Sequence, residues 1–137
     1  MATNAYIGLL CGNSVNAIYC HFDGYLGHTG QTLKEHYSDI DSITKLIELG
    51  SISYLGSTIG KKVDFKEYNS VPAMFARDKN NEEPQTLAYH RDRGEPLEIF
   101  KGTLEEYKEL CHDYDYIYLF DHGWKYMTSA MDDFESF

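Results

Sequence analysis

The chain has 137 residues, of which 42% are hydrophobic and 15% aromatic, and this content is enough to fill the core of one domain. The composition excludes general disorder, and no apolar run is long enough to span a membrane. The formal net charge is −10, and a negative field of that size repels phosphate backbones, which argues against direct binding to nucleic acid.

The start of the sequence predicts a β-hairpin. Two runs, Ala5–Cys11 and residues 15–21, flank Gly12-Asn13, a pair that tolerates positive φ angles. Side chains alternate along a strand, so the second run should divide its residues between two faces, with Ile18, Cys20 and Phe22 opposite Tyr19, His21 and Asp23. This register assigns Cys20 to the core rather than to nucleophilic catalysis.

Two helices are expected after the hairpin. Thr29 is the predicted N-cap of a short helix that runs to Tyr37, and Ser38 or Asp41 is the predicted cap of the next helix. The second helix carries an apolar stripe at helical spacing, formed by Ile40, Ile43, Leu46 and Ile47. Gly50 is expected at its C-terminal end.

The middle of the chain is polar. Residues 61–98 are its most polar stretch, and residues 80–84 predict an exposed loop. Residues 86–90 are predicted to form a strand, followed by a turn at residues 91–94. We expect the two arginines of that turn to form solvated salt bridges, with an anion clamp as the alternative.

The last third begins with a helix signal. Thr103 and Glu106 have the spacing of a capping box, and the helix is predicted to end at Cys111 or His112. Its inward-facing residues should be Leu104, Tyr107, Leu110 and Cys111.

Two strands are predicted next, Tyr116–Phe120 and residues 124–128, joined by a turn at His122-Gly123. Strands and helices do not alternate regularly along the whole chain. The sequence therefore predicts a single α+β domain over residues 1–137, with a mainly antiparallel sheet, about three helices and an acidic tail from about residue 130.

A candidate pocket lies on the polar face of the second strand. His21, Asp23 and Tyr25 bring an imidazole, a carboxylate and a phenol to a glycine-rich turn, a combination that suits acid–base chemistry or a nucleotide pocket. With His28, this region is the alternative site for a small molecule or a metal ion. The competing interpretation is that Asp23 caps the loop and His21 hydrogen-bonds to it. The spacing of the cysteines and histidines does not match a zinc site, so we predict neither a metal nor another cofactor.

The negative charge is concentrated in residues 103–137, which hold nine carboxylates and two lysines. Aromatic side chains beside carboxylates are typical of protein-binding surfaces. The candidate partner-binding residues are Asp113, Asp115, Tyr116, Asp121, Trp124, Asp132, Asp133 and Glu135. Alternation along residues 113–121 should place four aromatic residues on one face, Tyr114, Tyr116, Tyr118 and Phe120; whether a helix covers that face stays open. The alternative explanation of the charge is solubility.

Several segments carry a family resemblance. These segments are residues 18–25 (Ile-Tyr-Cys-His-Phe-Asp-Gly-Tyr), residues 46–56, residues 89–95 and the tyrosine-rich end with Trp124. In them the chain resembles small acidic proteins of phages and prophages of Gram-positive bacteria. The resemblance covers most of the chain and is most specific in its first fifty-odd residues. It implies a phage context and brings no enzymatic activity with it.

Small acidic phage proteins of this kind include counter-defence factors such as anti-CRISPR proteins. We therefore expect a non-enzymatic protein that acts in the host cytoplasm and inhibits a host defence protein, with a CRISPR effector nuclease as the expected partner. The three cysteines are an odd number and lack paired spacing, which is typical of free thiols in a reducing compartment. No signal peptide is expected, because Met1–Ala5 lacks the basic start and the apolar run of one.

Overall fold

The computed structural model of the protein describes residues 3–60 and 85–137, which form a β-sheet with helices on both faces. Its strands are β1 (Ala5–Cys11), β2 (Ser14–Cys20), β3 (Ile52–Tyr54), β4 (Leu87–Ala88), β5 (Phe100–Thr103), β6 (Tyr116–Phe120), β7 (Trp124–Met127) and β8 (Glu135–Ser136). The helices are α1 (Gln31–His36), α2 (Ile40–Glu48), α3 (Tyr89–Arg93) and α4 (Leu104–Glu109). The loop predicted at residues 80–84 lies outside the described residues.

The sheet is mixed. Its order is β4-β3-β2-β1-β6-β7-β8, and β5 pairs with the part of the β2 edge that β3 leaves free. β1 runs parallel to β6 and β2 runs parallel to β3, whereas the other strand pairs are antiparallel. The predicted α+β class is confirmed, but the sheet is mixed and the described residues contain four helices instead of about three. Parallel neighbours require crossover connections, and α1 with α2 supplies the one between β2 and β3.

Both faces of the sheet are covered. On the first face, α1 and α2 help to bury a core that includes Ile7, Ile18, Cys20, Leu33, Ile43, Leu46 and Tyr118. On the second face, which we name the α4 face, the buried core consists of Val15, Ala17, Tyr107, Cys111, Ile117, Leu119 and Met127. Tyr118 of β6 is fully buried in the first core, and Tyr116 is half-buried against it.

Several local predictions are confirmed. Gly12 has a φ of 65° in the β1–β2 turn, and Gly50 has a φ of 74° just after α2. The capping box at α4 is present, because the Glu106 N–H donates to the Thr103 hydroxyl at 3.1 Å while the Thr103 N–H donates to the Glu106 carboxylate at 2.9 Å. These signals involve residues close in sequence, so they do not depend on the rest of the fold.

Other local predictions are wrong. Thr29 is not an N-cap: it is buried in a π-helical turn (Leu26–Gly30), and its hydroxyl donates to the Asp23 carbonyl at 2.7 Å. The cap of α2 is Asp39, whose carboxylate accepts the Ser42 N–H at 2.7 Å. Ile40, in the first turn of α2, is 53% exposed and does not join the buried stripe.

The strand predicted at residues 86–90 is shorter than expected. Only Leu87–Ala88 pairs as β4, and Tyr89 already begins α3. Among the described residues, no helix has the length and apolar content needed to cross a membrane.

Candidate functional site

The carboxylates of the last third lie on the surface. We name as the acidic surface the exposed residues Glu105, Glu106, Glu109, Asp113, Asp115, Asp132, Asp133 and Glu135. They belong to α4, to the segment between α4 and β6, and to the tail. Asp133 in the tail reaches Lys108 on α4 at 2.9 Å and so ties two of these elements together.

The two lysines of this segment are already engaged. Lys108 pairs with Asp133, and Lys125 pairs with Asp121 at 3.5 Å. The hydrogen bond from Lys108 lowers the pKa of Asp133 and reciprocally raises the pKa of Lys108. Residues 103–137 contain nine carboxylates and two lysines, and each lysine pairs with one carboxylate. The other seven carboxylates have no lysine partner within that segment. The surface therefore keeps a strong negative field.

The tail is held to the domain by two phenylalanines. Phe134 stacks on Tyr107 of α4 with ring centroids 6.1 Å apart and planes 11° apart. Phe137 packs edge-on against Tyr126 at 5.7 Å, on the opposite face of the sheet. The predicted acidic tail is thus packed at its aromatic residues, whereas Asp132, Asp133 and Glu135 are exposed.

The aromatic candidates of this region lie inside the protein. Trp124 is 6% exposed, and its indole N–H donates to the Tyr37 carbonyl at 2.8 Å. Tyr116 is half-buried and stacks with Tyr118 at 6.2 Å. The sequence placed Trp124 on the binding surface because tryptophan beside carboxylates resembles an anchor, but this indole fills the core. The acidic surface therefore lacks this anchor.

Tyr114 does not share a face with Tyr116. It precedes the start of β6, so the alternation of the strand does not extend to it, and its ring lies 4.8 Å from that of Tyr6 on the α4 face. Asp115 is exposed and accepts the Asn4 N–H at 3.1 Å, which fixes the beginning of β6 beside that of β1.

The candidate pocket of His21, Asp23 and Tyr25 does not converge. His21 bonds through Nδ1 to the Tyr19 hydroxyl at 2.7 Å. Asp23 takes a positive φ of 55°, and its backbone carbonyl, not its side chain, holds Thr29. Tyr25 is 43% exposed.

His28, which the alternative interpretation added to this pocket, lies beside Tyr25, with ring centroids 6.3 Å apart. Its Nε2 bonds to the Leu55 carbonyl at 3.0 Å, and its ring lies 4.8 Å from the ring of Tyr54. In residues 3–60 and 85–137, no three residues of the types His, Cys, Asp and Glu are grouped as metal ligands would be. His21 and His28 therefore stabilise two different parts of the structure.

The arginine-rich turn forms a buried structural pair. Asp92 is 6% exposed and accepts the Ala88 N–H at 2.8 Å. Arg91 bonds to this carboxylate at 2.9 Å and also donates to the carbonyls of Ile59 and Thr86, both at 2.8 Å. The salt bridge of Arg91 is thus mostly buried, contrary to expectation, whereas Arg93 forms the expected exposed salt bridge, with Glu95 at 3.2 Å. The guanidinium of Arg91 closes the end of the sheet and is not available to clamp an anion.

Sequence reasoning missed a cluster of tyrosines on the α4 face. Tyr6 and Tyr19 are cross-strand partners in β1 and β2, with ring centroids 5.8 Å apart, and Tyr114 contacts both. Phe100 of β5 extends the cluster at 6.3 Å from Tyr6. The available signal was the alternation of β1 and β2, which puts Tyr6 and Tyr19 on one face, but only the pairing register shows that they are neighbours.

Two cavities open beside this cluster, between the edge of β2 and the segment before β5. The first has a volume of about 230 Å³ and is lined by Tyr19, Ser51, Tyr89, Glu95, Pro96 and Glu98. The second, of about 320 Å³, shares Tyr19, Ser51 and Glu98 with the first and adds residues from β1 and β5. We name the two together the tyrosine groove.

The tyrosines around the groove remain protonated at neutral pH. Burial, and after it the neighbouring Tyr114 and Glu98, raise the pKa of Tyr6 to about 12. Burial also raises the pKa of Tyr19 and of Tyr89. Their hydroxyls therefore act as neutral hydrogen-bonding groups, and the formal charge within the groove comes from Glu95 and Glu98.

Comparisons with known proteins complete this description. Models of known protein families, curated proteins and solved structures gave no match to the chain. The two surface features with distinctive chemistry are the acidic surface and the tyrosine groove.

Proposed function

We propose that the protein is a phage accessory protein that binds a host nucleic-acid-handling protein and inhibits it, with a CRISPR effector nuclease as the partner. It acts in the host cytoplasm and catalyses no reaction. The observation that carries the proposal is the acidic surface, where seven carboxylates of residues 103–137 have no lysine partner in that segment. A protein groove that normally holds DNA or RNA is basic, so a dense carboxylate surface is complementary to it.

The rigidity of this surface supports the proposal. The capping box fixes the start of α4, Tyr107 fixes the helix to the sheet, and the Lys108–Asp133 pair joins the helix to the tail. These contacts fix the backbone that carries the carboxylates, which limits the conformational entropy lost when they bind a row of basic side chains. Solubility alone requires net charge but no such fixed arrangement.

The first test is complex formation. The purified protein is mixed with a guide-loaded CRISPR nuclease, gel filtration measures the complex, and a mobility shift measures DNA binding by the nuclease. We expect a complex that weakens as the salt concentration rises, together with loss of DNA binding, because contacts between exposed charges are screened by salt.

Charge reversal then locates the surface. Asp132→Lys and Glu135→Lys change two exposed residues, neither of which has an ion-pair partner among the described residues, and should weaken binding at least about tenfold. Asp133→Lys is less informative, because it also removes the pair with Lys108. The matched control is Asp41→Lys with Glu48→Lys on α2, which changes the net charge equally on exposed residues elsewhere. Affinity that stays constant with salt and in the tail variants would contradict the proposal. Equal losses in the control pair would point to net charge alone.

A further inference from the structure

The tyrosine groove has the chemistry of a cation site. Three tyrosines border its two cavities, and Glu95 and Glu98 are the charged side chains that line them. Neither cavity is lined by a lysine or an arginine from the described residues. Aromatic faces together with carboxylates attract a cation through the ring quadrupole and through charge.

One guanidinium already sits beside this groove. The Arg93 guanidinium lies 5.7 Å from the ring centroid of Tyr89, and its Nε is 3.2 Å from the Glu95 carboxylate. The chain thus shows, at the groove's own margin, that a planar guanidinium fits between a tyrosine ring and a carboxylate. The ion pair with Arg93 also means that the negative charge of Glu95 is already compensated.

Glu98 is different. It lines both cavities, and no basic side chain of residues 3–60 or 85–137 forms an ion pair with it. Its backbone is fixed, because the Glu98 carbonyl accepts the Ser51 N–H at 3.1 Å, and its side chain remains exposed. A second guanidinium placed over Tyr19 would meet this carboxylate in the way that Arg93 meets Glu95.

The size and openness of the groove indicate a side chain rather than a whole metabolite. Glu95, Pro96, Leu97 and Glu98 on its outer wall are all exposed, so a ligand would be enclosed on one side only. Small-molecule sites usually bury most of their ligand, whereas the end of one arginine needs only such a partial enclosure. Arginine is favoured over lysine because its planar group both stacks on tyrosine and pairs with a carboxylate through two donors.

We propose that the tyrosine groove receives an arginine side chain of a partner protein, with the guanidinium against Tyr19 and paired with Glu98. The inference rests on the proposed function for the identity of that partner, but the groove can be tested without it. The groove lies at the β3 and β5 side of the sheet and Glu135 at the opposite edge, in β8. The partner would thus contact two separate sites.

The experiment uses the capped peptide acetyl-Gly-Arg-Gly-amide and the same peptide with citrulline, which has the shape of arginine without its charge. Titrations are followed by the NMR signals of the tyrosine rings and backbone amides. We expect the arginine peptide to shift the signals of Tyr19 and Tyr89, and the citrulline peptide to bind at least about fivefold more weakly.

Variants assign the site. Glu98→Gln, which keeps the shape of the side chain, should weaken the arginine peptide at least about fivefold, and Tyr19→Leu should do the same. Asp41→Asn removes the same charge from an exposed residue of α2, outside the groove and the acidic surface, and should leave peptide affinity within about twofold. The amide spectrum of each variant shows whether it is folded. If Tyr19→Leu is unfolded, the peptide affinity of Glu98→Gln alone tests the site.

The outcomes separate this inference from the proposed function. Equal binding of the two peptides, an equal loss in Glu98→Gln and Asp41→Asn, or the absence of shifts at the groove would overturn the arginine site, even if the nuclease complex forms. Arginine-selective binding that Glu98→Gln abolishes would establish the site, even if no nuclease complex forms and the proposed function fails.

Discussion

The attachment of α4, which carries part of the acidic surface, depends on a contact between Gly8 and Tyr107. A Cβ atom at Gly8 would lie 2.9 Å from both Cζ and Oη of Tyr107 and 2.9 Å from a methyl group of Val15. The ring cannot move easily, because its hydroxyl donates to the Tyr118 carbonyl and Phe134 stacks on it. Gly8 is therefore the residue that lets the helix approach the sheet.

We expect Gly8→Ala to destabilise the protein. Overpacking in a core costs about 1–3 kcal/mol, and three contacts at 2.9 Å place Gly8→Ala in the upper part of that range, at about 2–3 kcal/mol. Replacing glycine by alanine within a strand returns about 0.5–1 kcal/mol, so the net loss should be about 1–2.5 kcal/mol. For a chain of this size that loss lowers Tm by roughly 3–8 °C. Urea denaturation gives the free energy of unfolding, and a thermal melt gives Tm.

A double-mutant cycle tests the reason for the loss. Two of the three short contacts are made by Tyr107, so in a Tyr107→Leu background the cost of Gly8→Ala should fall by about 1 kcal/mol or more. Gly123→Ala is the control, because a Cβ there meets nothing within 4 Å, and it should change stability by less than about 0.5 kcal/mol. An equal cost of Gly8→Ala in both backgrounds would refute the role of the tyrosine ring.

Three further outcomes are expected. Asp92→Asn should cost about 3 kcal/mol in urea denaturation, because it leaves the partly buried Arg91 guanidinium without its charged partner, and a loss below about 1 kcal/mol would contradict that. Thr103→Ala should cost about 1 kcal/mol by removing the capping box, with Thr44→Ala on the exposed side of α2 as the control. Burial raises the pKa of Tyr6 and Tyr37 from 10.0 to about 12, so their stabilising contribution is complete below pH 10 and is lost as the pH rises towards 12. Unfolding free energies measured over that range should fall, and a constant value would disprove the effect.

The features that could be predicted from the sequence are local. The β1–β2 turn, the glycine after α2 and the capping box of α4 each depend on residues within a few positions of one another, so their signals survive in any fold. The burial of Cys20 also followed from the alternation of one strand. The concentration of carboxylates in the last third follows from the composition of that segment alone.

Only the tertiary structure decided the rest. The parallel pairs of β1 with β6 and of β2 with β3 join strands distant in sequence, and no local pattern specifies which of them meet. Trp124 was expected at a surface but fills the core. The Tyr37 carbonyl that accepts its indole N–H lies 87 positions away in the chain, so no local pattern predicts this contact. The tyrosine groove arises in the same way: Tyr19, Tyr89 and Glu98 come from three separate segments, and the order of the sheet places them around one cavity.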